Sequence, residues 1–367
     1  MRLPFTKSCL RKIGYKIRHN EKLSDEEEKN FSIYRASHNK IMCNFRNKLT
    51  SLRNDKPFKA KQIILAQRLK KRDTIVSKLS NRFSEMDLTR LHDIAGARII
   101  FSDIDTLQKF RSAFNKKNLR KYRRISNERY NYITCMKQTG YRGIHDVFEE
   151  DSNDSIKSKI EIQYRTRVMH SWATALEIWD SYYKRNTKFG TESGDVPLLF
   201  MLISEIFSRK LEKKINLKDQ TDLQILLKIY YLNFKTGLIA SLNEIKKLEH
   251  AEATSKKEEA ILIKKRIKLL NEFQVTIDFS DDSIKNIDVN KIDFMLKNYF
   301  EIERDEENDA VLVNVSNGAF EEAYNNYYND LSRFFENLRK SIALIESEHK
   351  IASYFLHLLF RRLFSKK

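Results

Sequence analysis

Glycine and proline are scarce in this chain, at 8 and 3 residues out of 367. A protein made of short strands and tight turns needs more of both, so an all-β architecture is disfavoured and a helix-rich one expected. Cys9, Cys43 and Cys135 are odd in number and far apart. They give neither a disulfide framework nor a metal-ligand spacing, which points to a reducing compartment. No apolar run approaches the ~18 residues of a membrane span. The basic segment Met1–Lys22 lacks the unbroken apolar stretch of a secretory leader. The expected setting is cytoplasmic, with no membrane span.

Apolar and aromatic residues are plentiful: 41% of the chain is hydrophobic, with 23 Phe and 16 Tyr, enough for a sizeable core. The length suggests two or three domains. The formal net charge is +19, a field that attracts nucleotides, RNA or an anionic surface. The lysines are spread along the whole chain, so a proteome simply rich in lysine explains the charge equally well.

The periodicity predicts a helix over Asp25–Leu52, a break at Asn54–Pro57, a second helix around Lys61–Leu69 and a third from Asp73 or Thr74 to about Arg82. Ala97–Phe101 has strand length, and Asp103–Phe114 returns to helical spacing. Tyr130–Ile133 and Gly143–Phe148 read as strands. Lys159–Arg165 alternates cleanly, with Ile160, Ile162 and Tyr164 on one face and Glu161, Gln163 and Arg165 on the other. From Thr166 a helical stripe begins. This first half is therefore α+β. The glycines at 190 and 194 ahead of Pro197 mark the best boundary; beyond it Leu198–Phe273 and Phe320–Phe364 read as helical, with one candidate strand at Ala310–Val315.

Four clusters have the residue types that phosphate chemistry needs. Arg68, Lys70, Thr74 and Lys78 gather cations at a helix start, where free N–H groups also favour anions; an ordinary basic helix surface has the same look. Asp93, ahead of the apolar run that contains Gly96 and Arg98, is of the type that holds Mg²⁺ alongside substrate phosphates, or it pairs with Arg98. Lys137–His145 uses two of the eight glycines, Gly140 and Gly143, within four positions. Tyr141 in that bent loop can stack a base, worth ~1–3 kcal/mol, or simply pack. Glu161, Gln163 and Arg165 form a polar row that either lines a cleft or faces solvent.

The order and spacing of these clusters resemble the RelA/SpoT synthetase family. Arg68-x-Lys70-x3-Thr74-x3-Lys78 is similar to its R-x-K-x3-S-x3-K segment, and Asp93–Arg98 to D-I-x-G-x-R. Asn131–His145 is similar to D-Y-I-x2-P-K-x2-G-Y-R-S-x-H, Glu161–Thr166 to E-[VIL]-Q-x-R-T, and Met169–Ala173 to M-H-x-W-A. Thr74 and Gly143 stand where the family has Ser, Asn131 where it has Asp, Met136 where it has Pro, and Thr139 where Asn or Ser is common. Most of these departures lie in the acceptor loop.

The resemblance implies a nucleotidyltransferase-like domain, a small mixed β-sheet flanked by helices, followed by a mostly α-helical C-terminal domain. It implies a segment 1–60 packing on a synthetase domain 61–190, with 195–367 of unassigned role. It also implies transfer of the β,γ-diphosphate of ATP to the 3′-hydroxyl of GDP or GTP, making (p)ppGpp, with Mg²⁺. Arg68 and Arg98 would flank the adenine, and Lys70, Thr74 and Lys78 would meet the phosphates. Asp93 and Glu161 would be catalytic and hold the metal. Tyr141 would stack the acceptor guanine, with Lys137, Thr139, His145, Gln163 and His170 around it. Two alternatives stay open: a toxic variant that modifies the 3′ end of tRNA, and a non-catalytic nucleotide-sensing module. Binding of other RNA and a homo-oligomeric state are open as well.

Overall fold

A computed structural model describes residues 3–80, 87–117, 119, 121–152, 154–183, 185, 187, 194–255, 313–315 and 331–349. Its strands are β1 (Ile64–Leu69), β2 (Ala95–Phe101), β3 (Tyr122–Arg124), β4 (Ile144–Glu150), β5 (Lys159–Thr166) and β6 (Val313–Val315). They form one mixed sheet in the order β3-β4-β5-β2-β1-β6. Only β2 and β5 run parallel; the other neighbours are antiparallel. The helices are α1 (Lys7–Arg18), α2 (Asp25–Ser37), α3 (Asn39–Asn54), α4 (Lys56–Lys59), α5 (Arg72–Ser80), α6 (Ile104–Lys116), α7 (Arg167–Tyr182), α8 (Asp195–Glu212), α9 (Asp222–Thr236), α10 (Leu238–Ser255) and α11 (Ser332–Glu348). The α+β class and the helical C-terminal part agree with the sequence reading.

Strand alternation divides the sheet into two faces of different chemistry. On one, Leu65, Ala97, Ile99, Ile160, Ile162, Tyr164 and Phe148 are buried among side chains of α3 and α6. Two polar residues on this face are tied down. Gln67 donates to the Met42 carbonyl of α3 at 3.0 Å, and the fully buried Asp146 takes both Arg111 of α6 and Arg124 of β3. The opposite face carries Arg68, Arg98, His145, Glu161, Gln163 and Arg165 in register. A second core joins Trp172, Leu176 and Trp179 of α7 to α8, α9, α10 and α11. Side chains from both sides of the interval 190–195 meet in it.

Three expected elements differ. The Asp25–Leu52 helix is two helices that meet at His38. Ser37 Oγ donates to the Tyr34 carbonyl at 2.7 Å, and His38 Nδ1 lies 2.9 Å from the same oxygen. Side chains thus compete for the acceptor that a continuing helix would use. Lys61–Leu69 is not a helix: Ile64–Leu69 is β1, a strand with partners on both sides. Its run of contiguous apolar residues fits burial between neighbours better than an amphipathic stripe. Tyr130–Ile133 is a 3₁₀ turn followed by a loop, with one bridge from Asn131 to Ile144. Asn127 and Asn131 side chains accept from the backbone two residues on, which is turn chemistry. The expected extensions past 80, through 256–273, and over 320–330 and 350–364 lie outside the described residues.

Candidate active site

The cationic cluster is built where β1 runs into α5. Lys70 follows β1, its carbonyl held by Arg35 Nη2 at 2.8 Å and its N–H donated to the Ile94 carbonyl at 2.8 Å. That backbone pairing sets Lys70 beside Asp93, which precedes β2. Lys70 Nζ donates to one Asp93 oxygen at 2.6 Å and Lys78 Nζ, from α5, to the other at 2.8 Å. Lys70 is 7% exposed. Burial pushes its ammonium down to about 8 even though Asp93 holds it up. Burial alone would raise the Asp93 carboxyl, but the two lysines outweigh it and hold it well below the usual range. Thr74 lies on the exposed first turn of α5, four residues before Lys78. Arg68 and Arg98 are two registers apart on the polar face, opposite Gly96 and Gln163 respectively.

A second cluster lies across β4 and β5. Register sets His145 opposite Gln163 and Val147 opposite Glu161. Gln163 Nε2 donates to Glu161 Oε1 at 2.7 Å, and His145 Nδ1 lies 3.4 Å from Glu161 Oε2. The other imidazole nitrogen is 2.6 Å from the Tyr141 hydroxyl, which also accepts from Arg165 Nε at 3.2 Å. Arg165 Nη2 closes the ring of contacts onto Gln163 at 3.2 Å. Burial opposes ionisation of Glu161, yet His145 and Gln163 hold its carboxyl down to about 2, while the Asp93 charge pushes the other way. His145, despite burial, is held up to about 9 by Tyr141 and Glu161. The Tyr141 phenol, which burial would raise, is brought down to about 7 by Arg165 and His145.

The acceptor-loop residues are brought together unevenly. Tyr141 is 8% exposed, with Arg165 5.1 Å and Lys137 5.3 Å from its ring centre. Lys137 lies closer to the ring of Tyr132, at 4.2 Å. Thr139 Oγ1 accepts the Tyr141 N–H at 3.4 Å, so it shapes the loop. His170 is buried in the first turn of α7, at 3% exposure. Arg165 and Tyr132 also belong to the cluster. Strand alternation already put Arg165 on this face, and Tyr132 occupies the tyrosine of the D-Y-I pattern.

Asp93 and Glu161 are hard oxygen donors, and the Asp93 charge opposes ionisation of Glu161. A divalent cation shared with phosphates suits such a pair. Among the described residues, no group of three or more potential metal-ligating side chains occurs, and no helix is long and apolar enough to cross a membrane.

None of the curated proteins matches this chain. Among solved structures, the small alarmone synthetase 1 from Bacillus subtilis bound to its product pppGpp is 23% identical over 52% of this chain and 94% of its own, with a TM-score of 0.42. A GTP pyrophosphokinase family protein from Streptococcus pneumoniae is 22% identical over 52% and 91%, with a TM-score of 0.40. Residues 67–188 match the family model described as "Region found in RelA / SpoT proteins". Both clusters lie inside that span, and the chain carries a RelA/SpoT-family domain at residues 67–188.

Proposed function

We propose that the polar sheet face catalyses transfer of the β,γ-diphosphate of ATP to the 3′-hydroxyl of a guanine nucleotide, GDP or GTP. The observation that carries this reading is Asp93 held between Lys70 and Lys78 just ahead of β2, the strand whose Gly96 pairs with Glu161, all inside the matched region. Such a constellation supplies what phosphoryl-type transfer needs: cations on the phosphates and carboxylates for a metal. Lys70, Thr74 and Lys78 receive the donor phosphates, and Arg68 and Arg98 flank the adenine. Asp93 and Glu161 would hold Mg²⁺, which neutralises charge developing on the phosphates when bound. Tyr141 serves the acceptor base, with Lys137, Thr139, His145, Gln163 and His170 around the rest of that nucleotide.

The acceptor oxygen attacks the β-phosphorus, the bond from that phosphorus to the α,β-bridging oxygen breaks, and AMP leaves. A carboxylate held near 2 accepts a proton poorly at neutral pH. Glu161 is therefore better suited to holding the metal and orienting the hydroxyl, whose proton passes to solvent as the new bond to phosphorus forms.

The second reading, in which the acceptor is the 3′ end of tRNA, is favoured by the +19 charge and by the departures at Asn131, Met136 and Gly143. Incubation with γ-labelled ATP, Mg²⁺ and GDP, GTP or bulk tRNA separates the two. Label in a guanine nucleotide, lost in Glu161→Gln, supports the first reading; label in tRNA replaces it with the second. No transfer to any acceptor overturns both and leaves a nucleotide-sensing module.

A further inference from the structure

The loop that presents Tyr141 rests on α8, beyond the matched region. Gly140 adopts φ +88°, and a Cβ built there would lie 2.7 Å from the Cα of Met201. Backbone therefore sits directly on backbone. Three residues along the same helix, Ser204 Oγ donates to the Gly140 carbonyl at 2.6 Å and accepts from Arg142 Nε at 3.3 Å. At the end of the helix, Glu212 accepts from Arg142 Nη1 with one oxygen and from the Thr166 hydroxyl with the other. The side chains of Arg142 and Glu212 are 1% and 4% exposed.

The two residues that Glu212 ties together have informative neighbours. Arg142 follows Tyr141, and Thr166 follows Arg165. Tyr141 and Arg165 are the pair whose hydrogen bond aims the phenol at His145. Thr166 also caps α7, accepting from the Met169 N–H at 3.2 Å. One carboxylate thus fixes the spacing between the loop and the end of β5. The donor cluster hangs on other elements, through Arg35 of α2, Lys78 of α5 and the Ile94 carbonyl.

We propose that Glu212, assisted by Ser204, is a positioning residue for the acceptor half of the site. The unit needed for acceptor binding then extends through residue 212 rather than ending at 190. This rests on the transferase reading for its kinetic consequence but not for its structural one. Glu212→Gln keeps the size but leaves one accepting oxygen where there were two, so it loses one of the two bonds and the charge facing buried Arg142. Ser204→Ala is a milder variant that removes the bond to the Gly140 carbonyl and serves if Glu212→Gln does not fold.

Two measurements on the full chain decide the matter. The first is the KM for the acceptor and for ATP in the wild type and both variants. The expected result for Glu212→Gln is an acceptor KM raised at least about tenfold, the worth of a hydrogen bond to a charged group, with the ATP KM unchanged. Equal effects on the two KM values, or a fall in kcat alone, would mean general damage and overturn the proposal. The second is hydrogen exchange, which needs no activity. The Gly140 amide, bonded to the Lys137 carbonyl at 2.8 Å, should exchange faster in either variant while the Lys70 amide stays as in the wild type. Unchanged exchange at Gly140, or faster exchange at both, sinks the positioning role. A wild type that transfers nothing sinks the transferase reading instead, and the exchange result still decides the role of Glu212.

Discussion

His38 is buried with its Nδ1 on the Tyr34 carbonyl, and burial pushes its pKa down to about 4. In the unfolded chain the imidazole titrates near its ordinary value, so between about pH 6.5 and 4 the unfolded state binds the extra proton. Stability from this group is therefore full above pH 6.5 and is lost as the pH falls to 4, by about 3 kcal/mol in all. Urea unfolding at pH 7 and pH 4.5 should show the difference, and His38→Asn, which does not titrate, should shrink it. Single residues stand out in the sequence where a local pattern carries them. Asp93 stands out in a motif just ahead of β2, and Glu161 in one that lies on β5. The Tyr141–His145–Arg165 contacts do not, because they depend on His145 lying opposite Gln163, a pairing that spacing along the chain does not reveal. Glu212 had no local signal at all, since its partners lie 70 and 46 residues away.

Among elements, the acceptor loop and α8 meet with no room between them. Gly140→Ala adds a Cβ against Met201 in a backbone region that L-residues avoid. The combined strain and overpacking should cost about 2–5 kcal/mol. Gly237 makes the contrast. It also has positive φ, at 65°, but no atom lies within 4 Å of an added Cβ, so Gly237→Ala should cost only ~1–2 kcal/mol. Thermal or urea denaturation of the two variants gives the comparison; equal losses would refute the close-approach argument. Element types were legible where the period was long or clean, as in β5 and α6. They fail where it is short: the apolar run of β1, an interior strand with partners on both edges, has no alternation to read, and helical spacing fits it as well. The break at His38 was hidden because both halves of Asp25–Leu52 keep helical spacing and only side-chain competition for one carbonyl separates them.

Over the whole molecule, the +19 charge bears on the choice between the two proposed acceptors. Binding of a tRNA releases many counterions, so raising salt from 50 to 200 mM should increase its KM by ~10³-fold or more if some six phosphates are contacted. A single guanine nucleotide engages far fewer charges and should respond far less. Measuring acceptor KM against KCl concentration thus gives a test independent of product identification. At this scale the sequence foretold a helical second half but not that its helices share a core with α7, because α7 carries apolar residues that serve both cores. The outermost strand has a further consequence. β6 pairs Val313–Val315 with Arg68–Ala66 of β1, so during synthesis that edge of the sheet stays open until Val315 has left the ribosome, long after β1. A nascent protein with an unsatisfied row of backbone donors and acceptors is prone to pair with another copy of itself. Slow translation between β1 and β6 should therefore lower the yield of correctly folded protein.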